Sequence, residues 1–164
     1  MRVGFFRHGP AAPPGEGGVS EEERPLTEEG IEKTRRAARG VLALDLGVDL
    51  ILSSPLRRAR QTAEILAEAL KGPRPRVSDR LLPDVSGAGL LECLKGLKAE
   101  APVLVGHEPS LSAAVAALIG APESGAIEMK KAGLAVVETG GPVPGPRGTL
   151  VLLLAPSVLR GLAK

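Results

Sequence analysis

Tryptophan and tyrosine are absent from this 164-residue chain, and two phenylalanines, Phe5 and Phe6, are its only aromatic side chains. Single-stranded nucleic-acid binders stack bases on such rings, and many sugar sites are built on their flat faces. A net charge of +2 does not replace them with electrostatic affinity for a phosphate backbone. No nucleic-acid partner is expected. Cysteine is as scarce. Cys93 stands alone, so no internal disulfide framework exists, and a cytoplasmic setting is the default expectation. No apolar run approaches the ~20 residues that cross a bilayer. Arg7 breaks the first apolar segment too early for a secretory leader, so no membrane association is expected. Histidine occurs twice, at His8 and His107.

Hydrophobic residues make up 43% of the chain, enough for a proper core in one domain spanning 1–164. The 15 prolines and 21 glycines fall between periodic segments and punctuate them. Met1 to Phe5 reads as a buried strand that runs into Arg7-His8-Gly9. Residues 10–25 form a Pro/Gly/Glu-rich loop, long enough without structure to be functional or mobile. Thr27 is a natural N-cap for a helix to about Leu44, with Ile31, Ala38, Val41 and Leu42 on one face. Asp49 to Ser53 is a strand. Ser54 is expected to cap the next helix, with Pro55 at its first position and Ala59, Ala63, Leu66 and Leu70 as its buried stripe. Arg76 to Ser78 is a short strand, 79–87 a loop, and Leu90, Leu94 and Leu97 mark a third helix. Pro102 to Gly106 is a strand, followed by a helix carrying Leu111, Val115, Leu118 and Ile119 and stopped by Gly120. Ile127–Lys131 and Leu134–Glu138 read as strands joined by a turn. A surface loop at 139–148, a strand from Thr149 to Ala155 and a short tail helix after Pro156 complete the chain. Alternating strands and helices of this kind make an α/β sandwich with a largely parallel sheet.

Chemistry-bearing residues collect where strands end, which is where open α/β sheets bind ligands. His8 and His107 both follow apolar strands, and this equivalence suggests that they meet. A neutral imidazole is a competent nucleophile when its other nitrogen is held by an acceptor. Arg7 beside it offers a rigid fork suited to phosphate oxygens, and Gly9 lets backbone approach closely. Ser54 to Ala63 places Arg57, Arg58 and Arg60 at a helix N-terminus, the end where cations disfavour the helix but anions bind. Arg57 and Arg60 read as solvated surface, with Glu64 four residues on as a partner for Arg60. A zinc site is a poor alternative, since two histidines and one cysteine do not fill a usual ligand set. Cys93 reads as helix packing, because Ala99 stands where a cysteine phosphatase loop needs arginine.

In order, Arg7-His8-Gly9, Leu26-Thr27-Glu28-Glu29-Gly30, Ser54-Pro55-Leu56-Arg57-Arg58-Ala59-Arg60-Gln61-Thr62-Ala63 and Gly106-His107-Glu108-Pro109 resemble the successive motifs of the histidine phosphatase superfamily, which includes the phosphoglycerate mutase-like enzymes. The short length and the Gly-His-Glu-Pro form resemble its small phosphohistidine phosphatase (SixA-like) branch. The resemblance implies a three-layer α/β/α sandwich of phosphoglycerate mutase-like fold. It implies His8 as nucleophile, Arg7, Arg58 and His107 as the clamp on the phosphoryl oxygens with Gly9 in the binding site, and no metal or organic cofactor. The substrate implied is a phosphohistidine protein or a small phosphomonoester. The sequence departs from the family at the proton donor. Mutase-like members carry a glutamate in the loop after the third strand, where this chain has Arg80-Leu81-Leu82-Pro83-Asp84. Asp84 and Glu108 are the candidates. A metabolite phosphatase or mutase of the same fold is the alternative, although 164 residues leave little room for the segments a mutase adds. A non-catalytic phosphoryl-binding module would not need the paired histidines.

Overall fold

The computed structural model describes residues 1–122, 127–141, 143 and 147–163. Among these residues the strands are β1 (Arg2–Arg7), β2 (Leu50–Ser53), β3 (Arg76–Val77), β4 (Pro102–Gly106), β5 (Leu134–Glu138) and β6 (Thr149–Leu154). The helices are α1 (Glu28–Ala43), α2 (Arg57–Leu70), α3 (Gly87–Leu91), α4 (Ser110–Ile119) and α5 (Pro156–Leu162). The strands form one sheet in the order β3-β2-β4-β1-β5-β6. Contacts among β1, β2, β3 and β4 are parallel, whereas β5 runs antiparallel to both β1 and β6.

Period-two alternation sends neighbouring side chains to opposite faces and so builds two cores. Phe5, Leu52 and Leu104 point to one face, where they meet Leu90 and Leu91 of α3 and Leu111, Ala114 and Val115 of α4. Phe6, Ile51, Val103 and Val105 point to the other. There they pack on Ala37, Ala38 and Val41 of α1, Ala59, Ala63 and Leu66 of α2, and Leu159 of α5. The expected three-layer sandwich is what forms. Helix α1 begins at its expected cap, with Thr27 Oγ1 accepting from Gly30 N at 2.9 Å. It then crosses α5 so closely that a Cβ on Gly40 would lie 1.9 Å from the Leu159 carbonyl oxygen. Gly120, left-handed at φ 69°, ends α4 as expected.

Several elements differ from the expectation, each for a local reason. Ile127–Lys131 is not a strand; the Met129 and Lys130 carbonyls accept from Arg7 Nη1 and Gly133 N instead of from a neighbouring strand. The third helix is short: α3 gives way to a 3-10 turn at Glu92–Leu94, and Gly96 turns left-handed at φ 74°. Segment 79–87 contains a 3-10 turn, Asp79–Leu81, that buries Leu81 in the core. Leu42 points to solvent at 50% exposure, because α1 presents Ala37, Ala38 and Val41 inward. Part of 139–148 lies outside the described residues; within it Thr139 and Val143 are buried and not on the surface.

Candidate active site

Parallel pairing brings the two histidines together. Arg7 of β1 lies opposite Gly106 of β4, and Ser53 of β2 lies opposite Val105. The next residue of each strand is therefore His8, His107 and Ser54, side by side at the carboxyl edge of the sheet. Backbone bonds fix them there: His8 N donates to Gly106 O at 3.0 Å, and Ser54 N donates to Val105 O at 3.0 Å. The imidazole centroids are 5.0 Å apart, with the rings inclined at 52°.

Each ring has one nitrogen assigned by its partner. His8 Nδ1 lies 2.7 Å from the Gly9 carbonyl oxygen. A carbonyl only accepts, so Nδ1 carries the proton and Nε2 keeps a free lone pair. His107 Nε2 is 2.8 Å from Ser54 Oγ. Ser54 Oγ already accepts from Leu56 N at 3.3 Å. Donation of the serine proton to Nε2 satisfies all three groups and leaves His107 Nδ1 protonated, a donor. Both rings are neutral near pH 7. His8 is held down to about 2, first by burial and then by His107 and the two guanidiniums. His107 is held down to about 3, first by burial and then by Arg58 and Arg7.

Gly9 sits where only glycine fits, since a Cβ there would be 2.0 Å from Thr34 Oγ1. Its N–H is spent on Thr62 Oγ1 at 3.0 Å and its carbonyl on His8. Gly9 thus orients the imidazole and keeps no free N–H for a ligand. Arg58, 3% exposed, enters from the first turn of α2. That helix starts two residues later than the sequence suggested: its N-cap is Leu56, and Ser54 with Pro55 precedes it. Ser54 serves His107 instead. Gln61 and Thr62 pin the surroundings, Gln61 Oε1 accepting from Leu26 N at 2.8 Å and Thr62 Oγ1 donating to Arg58 O at 2.7 Å. Arg57 is exposed, as expected. Exposed Arg60 reaches toward Glu23 at 3.9 Å, and no pair with Glu64 forms among the described residues.

Loop 10–25 folds over this corner. An Ala11–Leu26 bridge closes it, and Glu22 O accepts from Arg57 N at 2.9 Å. Its acidic run therefore covers the arginine-rich start of α2. Glu21 Oε1 accepts from Arg58 Nη2 at 3.0 Å and Arg24 Nη2 at 2.5 Å, while Glu21 O accepts from Arg58 Nη1 at 2.9 Å. The hydrogen bond from Arg24 holds the Glu21 carboxyl below its ordinary range. Glu21 and Arg24 escape a sequence reading, and Ser54 and Thr62 stand in the quoted motif without these roles, because tertiary pairing alone assigns them; the visible signal for the loop pair is a basic residue closing an acidic run.

Glu108 follows His107 and is half-buried. Ser112 Oγ donates to its Oε2, and burial pushes its carboxyl above the usual range. Asp84 is exposed on the turn before α3. Cys93 packs against the core, and burial pushes its thiol up to about 12. Among the described residues, no three His, Cys, Asp or Glu side chains gather where one metal ion could sit.

Unsatisfied groups locate the chemistry. Among the described residues, the buried side-chain polar atoms with no hydrogen-bond partner are Arg7 Nε, Arg58 Nε, His107 Nδ1 and Glu108 Oε1. Buried polar atoms are normally paired, so each orphan asks for an explanation. Three of these atoms are donors, on residues whose charges reach the His8 ring, and an attacked oxyanion requires such donors.

The family model for the histidine phosphatase superfamily (branch 1) matches residues 3–83. The chain is 40% identical over 144 residues to an uncharacterized protein of Picosynechococcus sp., covering 85% of this chain and 86% of that one. It is 29% identical over 125 residues to phosphohistidine phosphatase SixA of Escherichia coli, covering 72% and 74%. Its fold superposes on the protein histidine phosphatase SixA complexed with tungstate with a TM-score of 0.80 at 25% identity, covering 97% and 99%. This chain belongs to the histidine phosphatase superfamily, in its SixA-like branch. As a histidine phosphatase it is a hydrolase that acts on phosphoryl groups, and a phosphorylated molecule is its substrate.

Proposed function

We propose that this histidine phosphatase dephosphorylates phosphohistidine on a protein substrate, in a cytoplasmic setting, by two in-line transfers through His8. In the first, the His8 Nε2 lone pair attacks phosphorus, the bond from phosphorus to the substrate nitrogen breaks, and the departing imidazole keeps or takes up a proton. In the second, water attacks the same phosphorus, the bond to Nε2 breaks, and phosphate leaves with His8 restored. Arg7, Arg58 and His107 Nδ1 hold the equatorial oxygens, so the reaction rests on positioning and electrostatic stabilisation. Glu108 is the proton donor in this reading. It neighbours the clamp, it retains its proton to higher pH than an ordinary carboxyl, and Ser112 holds its other oxygen. Asp84, exposed, is the weaker candidate.

One observation carries the reading: the buried donors without partners belong to Arg7, Arg58 and His107, around an imidazole whose reactive nitrogen is unprotonated. A nitrogen leaving group needs less acid catalysis than an alkoxide, which suits a site whose candidate proton donor is a half-buried glutamate. Kinship to an enzyme named for phosphohistidine points the same way.

Rapid-quench labelling with a phosphohistidine peptide should yield an acid-labile, alkali-stable phosphoprotein, absent in His8→Ala. Full turnover by that variant would exclude the mechanism. Glu108→Gln should slow p-nitrophenyl phosphate or phosphoglycerate hydrolysis by roughly 10²-fold and phosphohistidine hydrolysis far less. Phosphoglycerate as the best of these substrates would favour the metabolite reading.

A further inference from the structure

The contact between Glu21 and Arg58 occupies a buried cation of the site. Arg58 Nη2 and Arg24 Nη2 converge on a single oxygen, Glu21 Oε1, at 3.0 Å and 2.5 Å. Arg24 Nε adds a bond to Oε2 at 3.0 Å. Two guanidiniums meeting one carboxylate oxygen is the arrangement used for a phosphoryl oxygen. The partners differ sharply in freedom. The Arg58 and Arg24 side chains are 4% and 13% exposed, whereas that of Glu21 is 50% exposed.

The cations also stay in place without the carboxylate. Arg24 Nη1 donates to Ala12 O at 2.8 Å, and Arg58 Nη1 donates to the Glu21 backbone carbonyl at 2.9 Å. Neither bond involves the Glu21 side chain. A half-exposed carboxylate already keeps part of its hydration, so it can rotate into water when another anion takes over the buried guanidiniums. A phosphoryl dianion brings more charge and more oxygens to the same donors.

Resting on the phosphatase reading above, we propose that Glu21 is an internal competitor for the phosphoryl pocket. Its carboxylate holds Arg24 and Arg58 in the free protein, substrate displaces it, and Arg24 then becomes a further cation on the transferred group. The acidic loop thereby raises the threshold for small phosphates, which must evict a carboxylate before they meet the full clamp.

Calorimetric titration with inorganic phosphate at low salt tests this on the wild type, Glu21→Gln, Arg24→Gln and the double variant. Glu21→Gln should bind phosphate about tenfold more tightly, because a neutral amide competes poorly for guanidinium. Its KM for p-nitrophenyl phosphate should fall in parallel. Adding Arg24→Gln to Glu21→Gln should weaken phosphate binding by about tenfold again, since a charged donor to the anion is lost. Equal or weaker binding by Glu21→Gln would overturn the competitor role. Equal affinity of Glu21→Gln and the double variant would overturn the role of Arg24. Arg24→Lys keeps the charge and guards against loop unfolding; it should retain part of the affinity that Arg24→Gln loses. Absence of phosphate binding by folded wild type and by all variants would remove the phosphatase reading itself, and this proposal with it.

Discussion

Strand β1 carries an arginine at each end, and the two have opposite fates. Arg2, at the amino end, gives both Nε and Nη2 to Glu138 Oε1, at 3.0 Å and 2.8 Å, in plain solvent. Arg7, at the carboxyl end, gives Nη1 to Met129 O and keeps a buried Nε without a partner among the described residues. The polar groups described at the amino end of the sheet are paired: Met1 and Thr139 exchange backbone bonds, and the Asp49 carboxylate accepts from Glu100 N and Ala101 N. It also holds a 450 Å³ depression lined by Met1, Arg2, Leu46, Glu100 and Glu138. That hollow therefore sits where the polar groups are spent. Concavity locates space; incomplete hydrogen bonding at a buried nucleophile locates chemistry.

That contrast can be broken in three ways. The largest effect belongs to Arg7→Ala and Arg58→Ala, which should each lower kcat/KM for a phosphohistidine peptide by roughly 10²- to 10³-fold. Steady-state assays on folded protein check this, and a loss of under tenfold in both would mean that the oxygens are held elsewhere. Next comes acid sensitivity. The two buried imidazoles titrate well below the ordinary 6.5 of an unfolded histidine, at about 2 and about 3. Above pH 6.5 folded and unfolded chains bind the same protons at these sites. Below it the unfolded chain binds more, so stability drains as pH falls from 6.5 toward 3, by up to about 1.4 kcal/mol per pH unit for each ring. Urea midpoints should follow that slope, and His8→Asn with His107→Gln should flatten it; an unchanged slope in the double variant would assign it to other groups. The smallest effect belongs to Arg2→Ala. Its ion pair joins side chains 44% and 48% exposed. Removal should cost at most about 1 kcal/mol in thermal or urea unfolding and leave kcat/KM within about twofold.

The legible part of this molecule was the part fixed by strand ends. Arg7, His8 and His107 follow apolar runs whose parallel pairing leaves them no choice but to meet, and Arg58 stands at a strand-to-helix junction beside them. Ser54 does not cap α2, although a serine before a proline advertises that role whether or not a histidine needs its hydroxyl. The alternation in Ile127–Lys131 suggested a strand, but the site takes the Met129 carbonyl for Arg7. Arg24 and Glu21 were invisible for a different reason: where a loop lands depends on contacts such as Ala12 N to Pro25 O and Leu26 N to Gln61, which local propensity does not encode.

The partner of His8 Nδ1 sets the charge that backs whatever His8 carries. A neutral peptide oxygen from the very next residue backs the ring, where a carboxylate would have compensated the positive charge that a phosphorylated imidazole acquires. The ring that would carry the phosphoryl group is thus oriented by a dipole and not ion-paired.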